Sequence, residues 1–249
     1  MIAIDVSLAL EILDDFTGRL VKPAQVRFTL DGQEMHPIAK PDGWFLFVNQ
    51  PAGEHALTVE GTGFQREELR FQGGPDAERV ETLRLLPSPA YRFSRRVTTL
   101  ALRLVDKKKA PLAGRTLYRL GGDRQSLRLA QDDAGPGSTA LRLFSAEQQS
   151  RLPVPGPFYL EDGKTSELIQ LCGAEGALYT LGAPLASAHR RGCLLRPARA
   201  VETDAEGRAF LALPEAAEVV LLVPGKKGLA LERVALEALA HNERDLVAD

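Results

Sequence analysis

Short runs in which apolar and polar residues alternate follow one another along most of this chain, with turn-forming residues between them every 8–12 positions or so, at roughly the spacing of all-β folds. A period of two sends successive side chains to opposite faces of an extended strand. Trp44-Phe45-Leu46-Phe47-Val48 is rich in β-formers and places Phe45 and Phe47 on one face, and His55, Leu57 and Val59 share a face in the next run. The pattern predicts strands near 3–13, 24–31, 43–48, 54–60, 64–71 and 79–85, then near 99–105, 115–120, 208–213, 218–223 and 229–236. Between these sets, Pro87-Ser88-Pro89-Ala90-Tyr91-Arg92 interrupts the pattern with two prolines and reads as a linker. The stretch at about 121–195 carries further strand-like runs at Ser126–Leu129, Thr139–Phe144, Pro157–Leu160 and Glu167–Leu171. Ser145–Ser150 reads as one helical turn, and Leu236–Asp249 as either a strand or a short helix.

The chain also repeats itself. Leu8-Ala9-Leu10-Glu11-Ile12-Leu13-Asp14 recurs as Leu100-Ala101-Leu102-Arg103-Leu104-Val105-Asp106, an offset of 92, followed each time by a polar turn and Gly18-Arg19 or Gly114-Arg115. A second marker, Asp42-Gly43-Trp44-Phe45-Leu46-Phe47, has its counterpart in Glu206-Gly207-Arg208-Ala209-Phe210-Leu211, at an offset of 164. An acidic residue followed by glycine supplies the positive φ of a tight turn between strands. The longer second offset places an insertion of about 72 residues within the second copy. Long insertions in a repeated scaffold are common binding positions.

These markers resemble the carboxypeptidase regulatory-domain-like, or prealbumin-like (transthyretin-like), β-sandwich family. The residues that carry the resemblance are Asp14, Gly18-Arg19-Leu20, Asp42-Gly43-Trp44-Phe45-Leu46-Phe47, Pro51-Ala52-Gly53 and Gly61-Thr62-Gly63-Phe64. It covers residues 3–87 well and, in the second half, 98–120 and 199–237, where Glu206 replaces the aspartate and Pro214-Glu215-Ala216-Ala217 lacks the glycine. The expected fold is therefore all-β: two consecutive prealbumin-like (Ig-like) sandwiches, 1–87 and 98–249, joined by a linker at 88–97, the second enlarged by a β-rich insertion. The resemblance implies a rigid, mostly non-catalytic module. One branch of this fold, the hydroxyisourate hydrolases, does catalyse, with a C-terminal Tyr-Arg-Gly-Ser; this chain ends Arg244-Asp245-Leu246-Val247-Ala248-Asp249.

Composition narrows the function classes. Across 249 residues, 44% hydrophobic and 26% charged residues exclude disorder throughout, and 31 Lys+Arg against 33 Asp+Glu give no electrostatic case for nucleic acid. The lysine and arginine clusters, such as Lys107-Lys108-Lys109, are short and scattered. Cys172 and Cys193, with 20 residues between them, read as reduced thiols rather than a disulfide framework. Asp5 and Glu11 interrupt the N-terminal apolar residues, and no basic residue precedes Arg19, so no secretory signal is expected. No run reaches the roughly 18 apolar residues of a membrane span. The expected location is the cytosol, or a released particle assembled there.

No motif for catalysis stands out. His36, His55, His189 and His241 lack metal-ligand spacing, and no nucleophile elbow or phosphate loop occurs. His55 reads as a packed or hydrogen-bonded strand residue, His189-Arg190-Arg191 as a solvent-facing basic tip, and Asp14-Asp15 as a solvated turn. No cofactor or metal is expected. The reading is a non-enzymatic structural or adaptor protein of a bacterial multi-protein assembly, such as a phage-tail-like or contractile injection particle. Its expected contacts to partner proteins are Phe158, Tyr159, Leu168, Ile169, His189, Arg190 and Arg191 in the insertion, together with exposed sheet edges. The alternative is an adhesive module for a glycan or small ligand, which needs exposed aromatics; only 6% of residues are aromatic, and Trp44 is placed in a core strand.

Overall fold

Alternation in the sequence becomes alternation in burial. The computed structural model describes residues 5–74, 79–121, 126–132, 134–145, 155–226 and 228–248. Among these residues strands dominate, and helical structure is confined to short 3-10 turns such as Pro23–Gln25 and Gly163–Thr165. The chain divides into two compact units, one of Met1–Leu102, Phe210–Ala216 and Glu237–Arg244, the other of Arg103–Ala209, Ala217–Leu236 and Asp245–Asp249.

The N-terminal strands form two four-stranded sheets. In one, β1 (Val6–Asp14) lies between β5 (Trp44–Val48) and β8 (Val80–Leu85), with β4 (Ile38–Ala39) outside β5. In the other the order is β3 (Gln33–Met35), β2 (Val26–Leu30), β6 (Gly53–Gly61), β7 (Glu67–Gly73). Leu8, Leu10, Ile12, Phe45, Phe47 and Leu85 from the first sheet pack on Val26, Phe28, Leu30, Leu57, Val59 and Phe71 from the second, which makes the pair a β-sandwich. Phe28 centres the aromatic contacts, 4.9 Å from Phe45 and 5.5 Å from Phe47, tilted or edge-on as ring quadrupoles favour. Trp44 lies on the opposite face from Phe45 and Phe47 and is half-buried, so the tryptophan does not close this core. The β2–β3 hairpin, absent from the strand pattern read above, turns on Asp31-Gly32, both with positive φ (49° and 81°), the geometry that an Asp-Gly dipeptide serves.

The strand order then recurs. β9 (Thr98–Val105) is flanked by β17 (Arg208–Leu213) and β20 (His241–Val247) as β1 is by β5 and β8, and β10 (Thr116–Leu120), β18 (Glu218–Gly225) and β19 (Gly228–Ala235) follow the order of β2, β6 and β7. Details repeat too. A lone bridge joins Leu13 to Leu20 and another joins Val105 to Pro111. Gly43 (φ 97°) lies against Leu20, and Gly207 (φ 72°) lies against Pro111 and Leu112. The ambiguous C-terminal stretch is a strand.

Gly207 is the tighter of the two turns. A Cβ there would stand 2.7 Å from the Leu104 carbonyl oxygen and 2.9 Å from the Leu112 nitrogen, both backbone atoms that cannot swing away. Gly207→Ala is therefore expected to cost about 2 kcal/mol or more, from the left-handed backbone plus the clash, read as a lowered urea midpoint with unchanged slope.

The insertion builds a barrel. β11 (Leu127–Leu129) pairs with β12 (Ala140–Ser145) on one side and β16 (Leu194–Glu202) on the other. β12 continues to β15 (Leu178–Leu181), then β14 (Glu167–Glu175), then β13 (Gly156–Glu161), which returns to β16. The ring of six antiparallel strands is closed, and Leu127, Leu129, Leu141, Leu143, Phe158, Leu160, Ile169, Leu171 and Leu195 fill it. β15 and β16 were not among the expected strands. β16 serves two structures: Leu194–Pro197 pair with β13 in the barrel, and Ala198–Glu202 pair with β10 in the sheet. Pro197, which has no N–H, ends the barrel part of the strand, where one set of partners gives way to the other. The helical turn expected at Ser145–Ser150 falls largely outside the described residues.

Candidate interaction surfaces

The seven residues expected to touch partners separate into four groups. Phe158 and Ile169 are cross-strand partners on β13 and β14, and both point into the barrel core. Tyr159 and Leu168, the next pair in register, point outward but meet Leu120, Ala198, Leu222, Tyr118, Val220 and Leu231, forming a second small core. Phe158, Tyr159 and Ile169 are buried and Leu168 is half-buried, so the first three are interior residues and not a docking surface. Their hydrophobic alternation, which marked them as strand residues, is also what buries them. Only Arg190 and Arg191 are exposed.

His189 is likewise not part of a solvent-facing tip; its side chain is 0% exposed. The segment leading into β16 bridges backward to Ala134 through the His189 N–H. It is clamped on the other side by two carboxylates, Asp162 in the β13–β14 connection and Glu167 at the start of β14. Glu167 accepts hydrogen bonds from the Ala186 N–H (3.0 Å), the Ser187 N–H (3.2 Å) and His189 Nε2 (2.5 Å). Asp162 lies 3.4 Å from His189 Nδ1 and accepts from the Arg190 N–H. Burial alone would raise the Asp162 carboxyl, but hydrogen bonds from the Cys193 thiol and the Arg190 amide, with the His189 ring alongside, outweigh it and hold it below the usual carboxylate range. Burial first, then the Asp162 carboxylate, pushes the Cys193 thiol up. A nucleophilic cysteine needs the opposite shift and a base beside its sulfur. Here the carboxylate stands between thiol and imidazole, so the cluster is built to hold a loop. Both cysteines are free thiols, and among the described residues no three His, Cys, Asp or Glu side chains are arranged to hold a metal ion.

Asp14 is not the solvated turn residue that was expected. It is buried, with Oδ1 accepting from the Phe16 and Thr17 amides and Oδ2 accepting from Thr17 Oγ1 and, at 2.5 Å, from the Tyr91 hydroxyl. Burial and the Asp14 carboxylate push the Tyr91 phenol up to about 12. Phe16, Phe64, Tyr91 and Phe93 face one another with centroids 4.7–6.1 Å apart, so this aromatic group secures the 87–93 segment and does not present open ring faces.

What remains for a partner is sheet edge and outer barrel face. Closing a sheet removes its edges, so among the described residues the barrel has no edge strand. Among the described residues, β19 ends the nine-stranded order and is the longest edge strand, eight residues paired without a bulge to β18. Leu236 N–H donates to the Ala217 carbonyl, toward β18. By alternation, the N–H and C=O groups of Leu229, Leu231, Arg233 and Ala235 point to the open side. On the barrel wall, Phe144 (46% exposed) and Leu178 (41%) are surface apolar residues that the sequence reading passed over. The alternation that sends Leu141 and Leu143 inward was the signal that Phe144 faces out.

No family model matches this chain, and no curated protein does. Among solved structures it is similar to the TIE protein of Bacillus anthracis, with 10% identity over 96% of this chain and 33% of that one, at a TM-score of 0.28. It is also similar to a streptococcal ancillary pilin (10% identity, 97% and 62% covered, TM-score 0.26) and to GBS52, the minor pilin of Streptococcus agalactiae (14%, 96% and 94%, TM-score 0.25). The chain thus spans about a third of the length of the first and less than two thirds of the second. At these scores the likeness is one of β-rich chains and carries nothing about assembly or adhesion. No helix among the described residues is long and apolar enough to cross a membrane.

Proposed function

We propose that this protein is a non-enzymatic interaction module, a structural or adaptor component of a bacterial multi-protein assembly made in the cytosol. Its sandwiches, divided near the 88–97 segment, are of the prealbumin-like, carboxypeptidase-regulatory-like kind that the turn markers resemble. The observation that carries the reading is the edge position of β19 among the described strands, a regular row of outward-pointing backbone donors and acceptors that an extended segment of a partner protein would engage by strand addition. Neither the fold nor the comparisons support a phage-tail setting in particular.

Arg233→Pro removes an outward N–H without taking a donor from the β18–β19 ladder, a position at which an edge strand tolerates proline. Wild type and Arg233→Ala are expected to retain the same partner with protection of the outward β19 amides from hydrogen exchange, and Arg233→Pro to lose it by at least tenfold in affinity with an unchanged far-UV spectrum. Equal binding by the proline variant would place the contact elsewhere.

A further inference from the structure

At one end of the N-terminal sandwich, two turns share a single histidine. His55, on β6, has a side chain 11% exposed, with Nδ1 2.6 Å from Asp31 Oδ2 and Nε2 2.9 Å from the Pro51 carbonyl oxygen. Asp31 closes the β2–β3 hairpin and also accepts the Ala56 N–H through its other oxygen, at 2.8 Å. Pro51 belongs to the turn between β5 and β6. The ring rests against Phe71, centroid to centroid 5.5 Å, and Gly73 leaves the room it occupies: a Cβ there would stand 2.7 Å from His55 Nε2.

A neutral imidazole has one N–H donor and one acceptor nitrogen. Here both nitrogens face oxygens. The carbonyl has no proton to give, and Asp31 is held ionised below the usual carboxylate range, by the His55 hydrogen bond first and the Ala56 amide second. Only the imidazolium makes both bonds. With one proton left, the charge-assisted bond to Asp31 keeps it on Nδ1, and the Nε2 lone pair then confronts the Pro51 carbonyl. Among the described residues, β7 contributes the uncharged Phe71 and Gly73 to this surround, and Glu54 and Arg70, on the neighbouring positions of β6 and β7, pair with each other at 2.9 Å.

We propose that His55 is a pH switch for the loop end of this sandwich: the imidazolium pins the β5–β6 turn to the β2–β3 hairpin, and loss of its proton frees that turn. The hydrogen bond to Asp31, then that to Pro51, lifts His55 above its ordinary value of about 6.5, against the opposing effect of burial. The stabilisation is complete below the unfolded value and is lost as pH rises through the raised folded one. The Asp31 share runs the other way, present above its unfolded value and lost only as pH falls through its lowered one. The pinned state therefore spans the mildly acidic to neutral range. Loops at sandwich ends are frequent binding positions, so the switch controls order where order matters for contact.

The test is long-range proton–nitrogen NMR on the full chain labelled at histidine nitrogen, with amide exchange followed from pH 6 to 9. Both His55 nitrogens are expected to carry protons at pH 6. As Nε2 loses its proton, exchange of the Gln50 amide, which donates to Ser7 Oγ from the β5–β6 turn, should rise at least tenfold beyond the intrinsic base-catalysed increase. In His55→Gln that excess should vanish. A neutral His55 tautomer at pH 6 in the wild type would overturn the proposal, and so would exchange at Gln50 that rises with pH by no more than the intrinsic base-catalysed factor.

Discussion

Phe158→Ala is expected to destabilise the fold by about 3–5 kcal/mol, the usual cost of emptying a phenylalanine site in a packed core. The side chain is 0% exposed and stands between Ile169 on β14 and Pro197 on β16, in the stretch of the ring where the barrel joins the sheet. Its neighbours in the core, Leu127, Leu141, Leu160, Leu171 and Leu195, come from strands whose ladders close on themselves, which limits how far they can collapse into the space. Phe158→Leu keeps most of the volume and should cost less than about 1.5 kcal/mol. Urea denaturation gives the totals, and exchange at β11 to β16 amides locates the loss. A change below about 1 kcal/mol for alanine would mean a loosely filled barrel. The same result governs how binding data are read: lost capture in a Phe158 variant reports a broken barrel, whereas Arg190→Ala and Arg191→Ala test the exposed surface directly.

The sandwich strands were legible because their signals are local. Phe45 and Phe47, or Leu57 and Val59, declare a face by spacing alone, and Gly43 and Gly207 mark equivalent turns because left-handed backbone at a tight approach excludes a side chain. The barrel was not legible. Alternation says that Leu127–Leu129 is a strand but not that it pairs with both Ala140–Ser145 and Leu194–Glu202, which is what closes the ring. β16 was hidden by Pro197 among arginines, a composition that reads as loop until the strand is seen to change partners at that residue. His189 was misread for a related reason. Beside Arg190 and Arg191 it looks like part of a basic tip, while the carboxylate that buries it, Glu167, lies 22 residues upstream. His55 was read correctly as a bonded strand residue, yet nothing in its own run shows that both ring nitrogens meet acceptors.

That distant carboxylate supplies the other large effect. Glu167→Ala is expected to cost about 2–3 kcal/mol, since removing the acceptor leaves the buried donors it served without a partner. Three donors depend on Glu167: two amides of the loop, Ala186 and Ser187, and the imidazole of His189. The Glu167 side chain is 17% exposed, so water can reach the amides and recover part of their loss, but His189 at 0% has no such recourse. Glu167→Gln preserves shape and one acceptor oxygen while turning an N–H₂ group toward donors, and should fall at roughly 1–2 kcal/mol. Combining either change with His189→Gln in a double-mutant cycle isolates the pair, and a coupling above about 1 kcal/mol is expected. Amide exchange should accelerate at Ala186, Ser187 and His189 before it does in β13 or β14, because the clamp fixes the loop and the barrel core fixes the strands. Unchanged exchange in the loop would mean that its backbone bonds to the 134–138 segment hold it without the carboxylate. Arg190 and Arg191 ride on this loop, so a partner that uses them should bind Glu167→Ala more weakly even though neither arginine has been touched.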